Sequence, residues 1–170
     1  MIVGKNVLLR TWKEADLPLL RDMRNDIALQ AQLLARARGS DESQVREWLK
    51  GFSSANDSFM FILADPGDDS ALGFVQFKNT DFVSRNTELG ICLAAPAQGR
   101  GIGPEVLALA SAYLRDTWGL GKIWLKVRGD NGAAIRCYEK AGFKHCGKLS
   151  NHVFISGAWQ DVVLMELFLS

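Results

Sequence analysis

The stretch whose residue types and spacing are best suited to chemistry is Gln98-Gly99-Arg100-Gly101-Ile102-Gly103-Pro104-Glu105. Three glycines in five positions let the main chain take conformations that other residues avoid, and let a ligand approach it closely. The apolar run at 89–93 reads as a strand entering this stretch, and 106–118 reads as a helix leaving it. Pro104 suits the first helical position, where its missing N–H costs nothing. Free N–H groups gathered at a helix N-terminus attract phosphate, so residues 98–103 read as the seat of a diphosphate-bearing ligand. An ordinary glycine-rich turn is the other reading of the same residues.

Two better-known phosphate loops do not fit. A P-loop ends in Gly-Lys-Ser/Thr, whereas this stretch ends in Gly103-Pro104-Glu105. A dinucleotide fold needs Gly-x-Gly-x-x-Gly with an acidic residue about 20 positions on. Asp130 lies at a tempting distance, but the spacing here is Gly-x-Gly-x-Gly. Too little chain follows the loop for a doubly wound sheet.

The elements that must position this loop follow from periodicity and turn signals. Strands are expected at 6–12, 59–64, 72–77, 87–93, 122–128, 143–155 (interrupted) and 162–169. Thr11-x-x-Glu14 fits a capping box for a first helix carrying Ala15, Leu17, Leu20 and Met23 on its apolar side. Residues 27–39 fit either a short helix or a mobile segment. Ser40 or Asp41 suits the cap of a second helix ending near Gly51. Asn131 can cap a helix over 133–141, and Gly142 is a natural stop for it. The expectation is an α/β (α+β) fold: one mixed, mostly antiparallel sheet of about six to seven strands flanked by helices.

Composition narrows the function classes. The chain has 170 residues, which suits a single domain spanning 1–170. Its net charge is +1 and 48% of it is hydrophobic. No basic excess marks a nucleic-acid partner, and no apolar run reaches the length of a membrane span. The N-terminus lacks the apolar core of a signal peptide. Cys92, Cys137 and Cys146 form no paired spacing, and their odd number fits a reducing cytoplasm. His145 and His152 stand at no metal-binding spacing, so no metal is expected. The expected assembly is a homodimer.

A second informative stretch is Asn131-Gly132-Ala133-Ala134-Ile135-Arg136-Cys137-Tyr138-Glu139-Lys140-Ala141-Gly142-Phe143. Together, Gln-x-x-Gly-x-Gly and Asn-x-x-Ala-x-x-x-Tyr-Glu-Lys-x-Gly-Phe resemble the GNAT superfamily of acyl-CoA-dependent N-acetyltransferases. The resemblance covers essentially the whole chain. The ending Gly157-x-Trp159-x-Asp161-Val162-x-x-Met165 is similar to the branch holding ribosomal-protein N-terminal acetyltransferases and spermidine acetyltransferases.

The resemblance implies roles residue by residue. The main chain of Gln98, Gly99, Arg100, Gly101, Ile102 and Gly103 would hold the pyrophosphate of acetyl-CoA. The strand edge at Ile91 and Leu93 would pair with the pantetheine arm, as an added strand does. The thioester would lie where that strand and 122–128 splay apart. Asn131 would hydrogen-bond the cofactor's amide arm. Tyr138 would protonate the leaving thiolate, since a phenol with pKa about 10 is a proton donor at neutral pH; packing as a core aromatic is its other role. The acceptor amine arrives protonated, and Glu88 is the first candidate for its base, with Asp161 and His152 behind it. Cys137 reads as packing rather than as a nucleophile. The acceptor is a primary amine, either a protein α-amine or a small amine such as a polyamine or amino sugar. The resemblance implies that the acceptor binds between the two N-terminal helices and the last hairpin, near residues Arg24–Arg38 and Asn151–Trp159. Arg36 and Arg38 there could meet an anionic substrate or be solvated surface, and the absence of an acidic run weakens the polyamine option. The alternative from another class is a non-catalytic acyl-CoA-binding sensor or scaffold.

Overall fold

The computed structural model describes residues 1–170. The strands are β1 (Ile2–Val3), β2 (Leu8–Arg10), β3 (Phe59–Ala64), β4 (Ala71–Asp81), β5 (Asn86–Leu93), β6 (Lys122–Arg128), β7 (Lys144–Ile155) and β8 (Ala158–Phe168). The helices are α1 (Leu17–Asn25), α2 (Ile27–Gln32), α3 (Glu42–Ser54), α4 (Ile102–Trp118) and α5 (Gly132–Lys140). One sheet runs in the order β1-β2-β3-β4-β5-β6-β8-β7. Every neighbouring pair is antiparallel except β5 and β6, which are parallel. The mixed, mostly antiparallel sheet is therefore as expected, with Ile2–Val3 adding an eighth strand too short to show a period.

The continuous apolar run of β3 exists because both faces of the sheet are covered. Successive side chains point to opposite faces, so Leu63, Val75, Phe77 and Leu89 join the core under α4. Ile62, Phe74 and Cys92 join a second core under α1 and α3. β7 forms one edge of the sheet, and most of its residues are exposed.

Two local expectations change, and two open alternatives resolve. α4 begins at Ile102, so Pro104 is its third residue rather than its first. The first four helical N–H groups have no intrahelical partner, so proline costs no hydrogen bond at the third position either. Thr11 caps nothing. Its carbonyl accepts from Arg10, and Pro18 delays α1 to Leu17. The carboxylate of Asp16 instead accepts from the Lys13 main chain and pairs with Arg10 at 2.8 Å, both side chains being buried. Residues 27–39 divide into the short α2, capped by Asp26, and an irregular stretch after it. Asp41, not Ser40, caps α3, with Gln44 completing a capping box.

Candidate active site

The parallel pairing of β5 with β6 covers only three registers: Asn86 with Lys122, Thr87 with Ile123 and Glu88 with Trp124. Beyond Glu88 the two strands part. β5 stays paired with β4 as far as Leu93, and β6 stays paired with β8 as far as Arg128. Residues 89–93 thus present one strand edge without a strand partner. An unpaired edge is a template for an extended ligand. Of its acceptors, the Leu93 carbonyl takes a hydrogen bond from Gln98 Nε2 at 3.0 Å.

An open cleft of about 1230 Å³ starts at this parting. Clefts for a single small molecule hold roughly 300–1,000 Å³, so this one has room for two ligands at once. Glu88, Ile91, Leu93, Gln98, Gly99, Gly103, Asn131 and Tyr138 all line it. Arg100, Gly101 and Ile102 lie outside its wall. Arg100 turns toward Asp65 at 3.8 Å, and the Ile102 side chain is buried in the core. Gly101 caps α4 at φ +74°, a left-handed conformation that other residues reach only with strain. That turn leaves the first N–H groups of α4 without main-chain partners at the end of the loop.

Asn131 does two things at one position. Its Oδ1 accepts from Ala134 N at 3.2 Å and so caps α5. Its amide nitrogen is left free on the cleft side. α5 then presents Tyr138, whose ring packs edge-on against Phe143. The Tyr138 hydroxyl has no hydrogen-bond partner within the protein. Burial raises its pKa well above the ordinary phenol range, with Cys137 and Cys92 nearby adding to the effect. The group is therefore a neutral proton donor throughout the neutral range.

Glu88 sits at the mouth of the parting, its side chain 13% exposed. Asn79 Nδ2 donates to its Oε2 at 2.8 Å, and Lys126 on β6 stands 3.7 Å from its Oε1. Asp161 lies outside the cleft, where it accepts from Asn151 N and pairs with Lys148. His152 is exposed on β7, also outside it. Cys137 lines the cleft, but burial raises its thiol pKa. Burial pushes the Cys92 thiol up to about 12. Both thiols are poor nucleophiles, because the thiolate is the reactive form.

The far wall includes Arg24, at the start of the 24–38 stretch where the resemblance puts the acceptor, but sequence reasoning missed its partners Trp48 and Phe74. Arg24 at the end of α1 lies over the ring of Trp48 on α3, 4.6 Å from its centroid. Trp48 in turn meets Phe74 edge-on at 5.2 Å. These residues come from three separate segments, and no motif links them. Arg36 is spent elsewhere, donating to the Phe154 carbonyl at the tip of the β7–β8 hairpin.

Comparison with known proteins places this geometry. The acetyltransferase (GNAT) domain family matches residues 6–144. Spermidine N(1)-acetyltransferase of Vibrio cholerae is 25% identical over 168 residues, covering 99% of this chain and 96% of the relative. The Escherichia coli enzyme of the same name is 31% identical over 101 residues, 59% of this chain and 54% of the relative. The crystal structure of the Vibrio cholerae enzyme with CoA and spermine superposes with a TM-score of 0.90 at 24% identity, covering 98% of this chain and 97% of that one. One finding corrects the expected homodimer: a 25% identical structure of that enzyme, with a TM-score of 0.83 and covering 98% of this chain and 96% of that one, is dodecameric. No helix of this chain is long and apolar enough to cross a membrane. The chain belongs to the GNAT acetyltransferase family, and it is an acetyl-CoA-dependent enzyme acting on a primary amine.

Proposed function

We propose that the cleft carries out direct acetyl transfer in a ternary complex, with Tyr138 as general acid and Glu88 as general base. The observation that carries this reading is the end of β5–β6 pairing at Glu88, which opens a bare strand edge between Glu88 and Tyr138. The pantetheine arm pairs with β5 at Ile91 and Leu93, its pyrophosphate rests on the main chain of residues 98–103, and Asn131 donates its free amide. Glu88 takes a proton from the acceptor ammonium. The amine nitrogen then attacks the thioester carbon, forming the C–N bond. As the C–S bond breaks, the thiolate takes the proton of Tyr138, the attacking nitrogen gives up its second proton to solvent to leave a neutral amide, and solvent reprotonates the Tyr138 oxygen. The tight hold of Asn79 on Glu88 supports a fixed base, and the raised thiol of Cys137 supports transfer without an acyl-enzyme.

Spermidine is one acceptor to consider, on the similarity to the Vibrio cholerae enzyme over nearly the whole chain. A cytoplasmic location is supported by three free cysteines. The test is thiol release from acetyl-CoA over spermidine, small amines and N-terminal peptides, with intact-mass spectra of protein and acetyl-CoA alone. Amine-dependent release without an acetyl adduct is expected, and Cys137→Ala should retain most of it. A stable adduct lost in Cys137→Ala would overturn direct transfer. CoA binding without release for any amine would favour a non-catalytic acyl-CoA module.

A further inference from the structure

Resting on the acetyltransferase reading, we infer that the acceptor is a primary amine that also carries an anionic group, carboxylate or phosphate, and that Arg24 is the residue that holds this group. Arg24 lines the cleft but forms no ion pair, and its Nε is buried without a hydrogen-bond partner. It is the one buried side-chain nitrogen or oxygen in the chain left in this state. Nη1 and Nη2 of Arg24 also make no hydrogen bond or ion pair within the protein but are not sealed as Nε is, so a bound anion pairing with them would offset the cost of this part-buried charge. A guanidinium fixed on an aromatic face is preorganised for two-point binding of a carboxylate or phosphate, and Trp48 fixes this one.

The surrounding charges agree. Arg24, Lys78 and Lys126 face the cleft against only Glu47 and Glu88. Both carboxylates already have cations beside them, Lys50 at 3.7 Å and Lys126 at 3.7 Å. Arg24 and Lys78 are left unpaired. Burial lowers the pKa of Arg24, and the charge of Arg38 nearby adds to that. A polycation would enter against this field. Gln98, Gly99 and Gly103 line the same cleft as Arg24, so the acceptor is measured with CoA already bound, which keeps the cofactor's own phosphates out of the comparison.

The test pairs glucosamine 6-phosphate with glucosamine, and β-alanine with propylamine, and adds spermidine. Each is titrated calorimetrically into the CoA-saturated full chain and assayed for thiol release from acetyl-CoA. The first pair reads a phosphate and the second a carboxylate. The anionic member of at least one pair should bind tenfold or more tightly. Arg24→Gln should lose about 10–100-fold of that affinity, the worth of hydrogen bonds to a charged group, while CoA affinity stays unchanged. Arg24→Lys should keep part of the preference, and thermal melts of both variants control for folding. Equal binding within both pairs, undetectable binding included, overturns the inference. So does tighter binding of spermidine, or a preference that survives in folded Arg24→Gln. The binding arm needs no turnover. Anion preference with no thiol release from any amine would sink the catalytic reading alone.

Discussion

On one side of the cleft, β5 and the loop residues Gln98, Gly99 and Gly103 offer main-chain N–H and C=O groups; on the other, α1 and α3 offer the side chains of Arg24 and Trp48. The first wall is built from residues contiguous in sequence, and its recognition depends on backbone path. The second is assembled from segments far apart in the chain, and its recognition depends on which side chains arrive. A ligand common to a family can be held by a wall of the first kind, because glycines and a strand edge present the same groups whatever the neighbouring side chains. A ligand that differs between relatives needs a wall of the second kind, because side chains change without moving the sheet.

Between the walls stands Tyr138, where the largest effect is expected. Tyr138→Phe removes the hydroxyl and keeps the ring against Phe143. General acid catalysis contributes about 10²–10⁴-fold, and a thiolate is already a fair leaving group, so kcat should fall roughly 10²-fold with CoA affinity unchanged. Turnover within about twofold of the parent would make Tyr138 a packing residue. The pH profile is a second reading of the same group. A phenol with a raised pKa keeps its proton above its ordinary value near 10. The rate should therefore rise as the acceptor amine deprotonates and show no descending limb up to about pH 10. A limb falling between pH 7 and 9 would give the acid role to another group.

The backbone wall should break next. Gly101→Val places a β-branched residue at φ +74°, a strain of roughly 1–2 kcal/mol. A Cβ there meets no atom within 4 Å, so the fold has no packing reason to fail. Displacing one main-chain donor from a phosphate is worth about 1.5 kcal/mol or more, so CoA should bind about tenfold more weakly by calorimetry. Unchanged affinity in a folded variant would remove this loop from the cofactor site. The side-chain wall should give the smallest and most selective effect. Trp48→Leu keeps an apolar, though smaller, side chain and removes the aromatic platform under Arg24, with a thermal melt as the control for folding. Cation–π and edge-on aromatic contacts are worth about 0.5–1.5 kcal/mol each. Acceptor KM should rise roughly 2–10-fold while CoA affinity holds. Equal losses in both would mean that the two walls are not independent.

Stability separates the halves in another way. Arg10 and Asp16 form a buried pair, with Asp69 closing the other side of the guanidinium at 2.7 Å. Removing one partner of such a pair costs about 3–5 kcal/mol. The carboxylates that matter here stand at 16 and 69, and nothing in the spacing of Arg10-Thr11-Trp12 announces them.

How much was legible depended on the range over which each feature is decided. The glycine loop, the strand entering it, the Asn131 cap and the Gly142 stop are local, since each rests on φ, ψ and hydrogen bonds within a few residues. The sequence therefore showed them, along with the mixed sheet and, by resemblance, the family. The start of α4 shifted by two residues because proline is tolerated throughout the unpaired first turn of a helix. What only the tertiary structure decided was everything that depends on two distant segments meeting. The end of β5–β6 pairing at Glu88, the hold of Asn79 and Lys126 on that carboxylate and the unpartnered Arg24 over Trp48 belong here. Periodicity tells which face a residue takes, but a site's charge and hydrogen-bond balance is set by which other faces pack against it, and that is a property of the assembled sheet and helices rather than of any window of sequence.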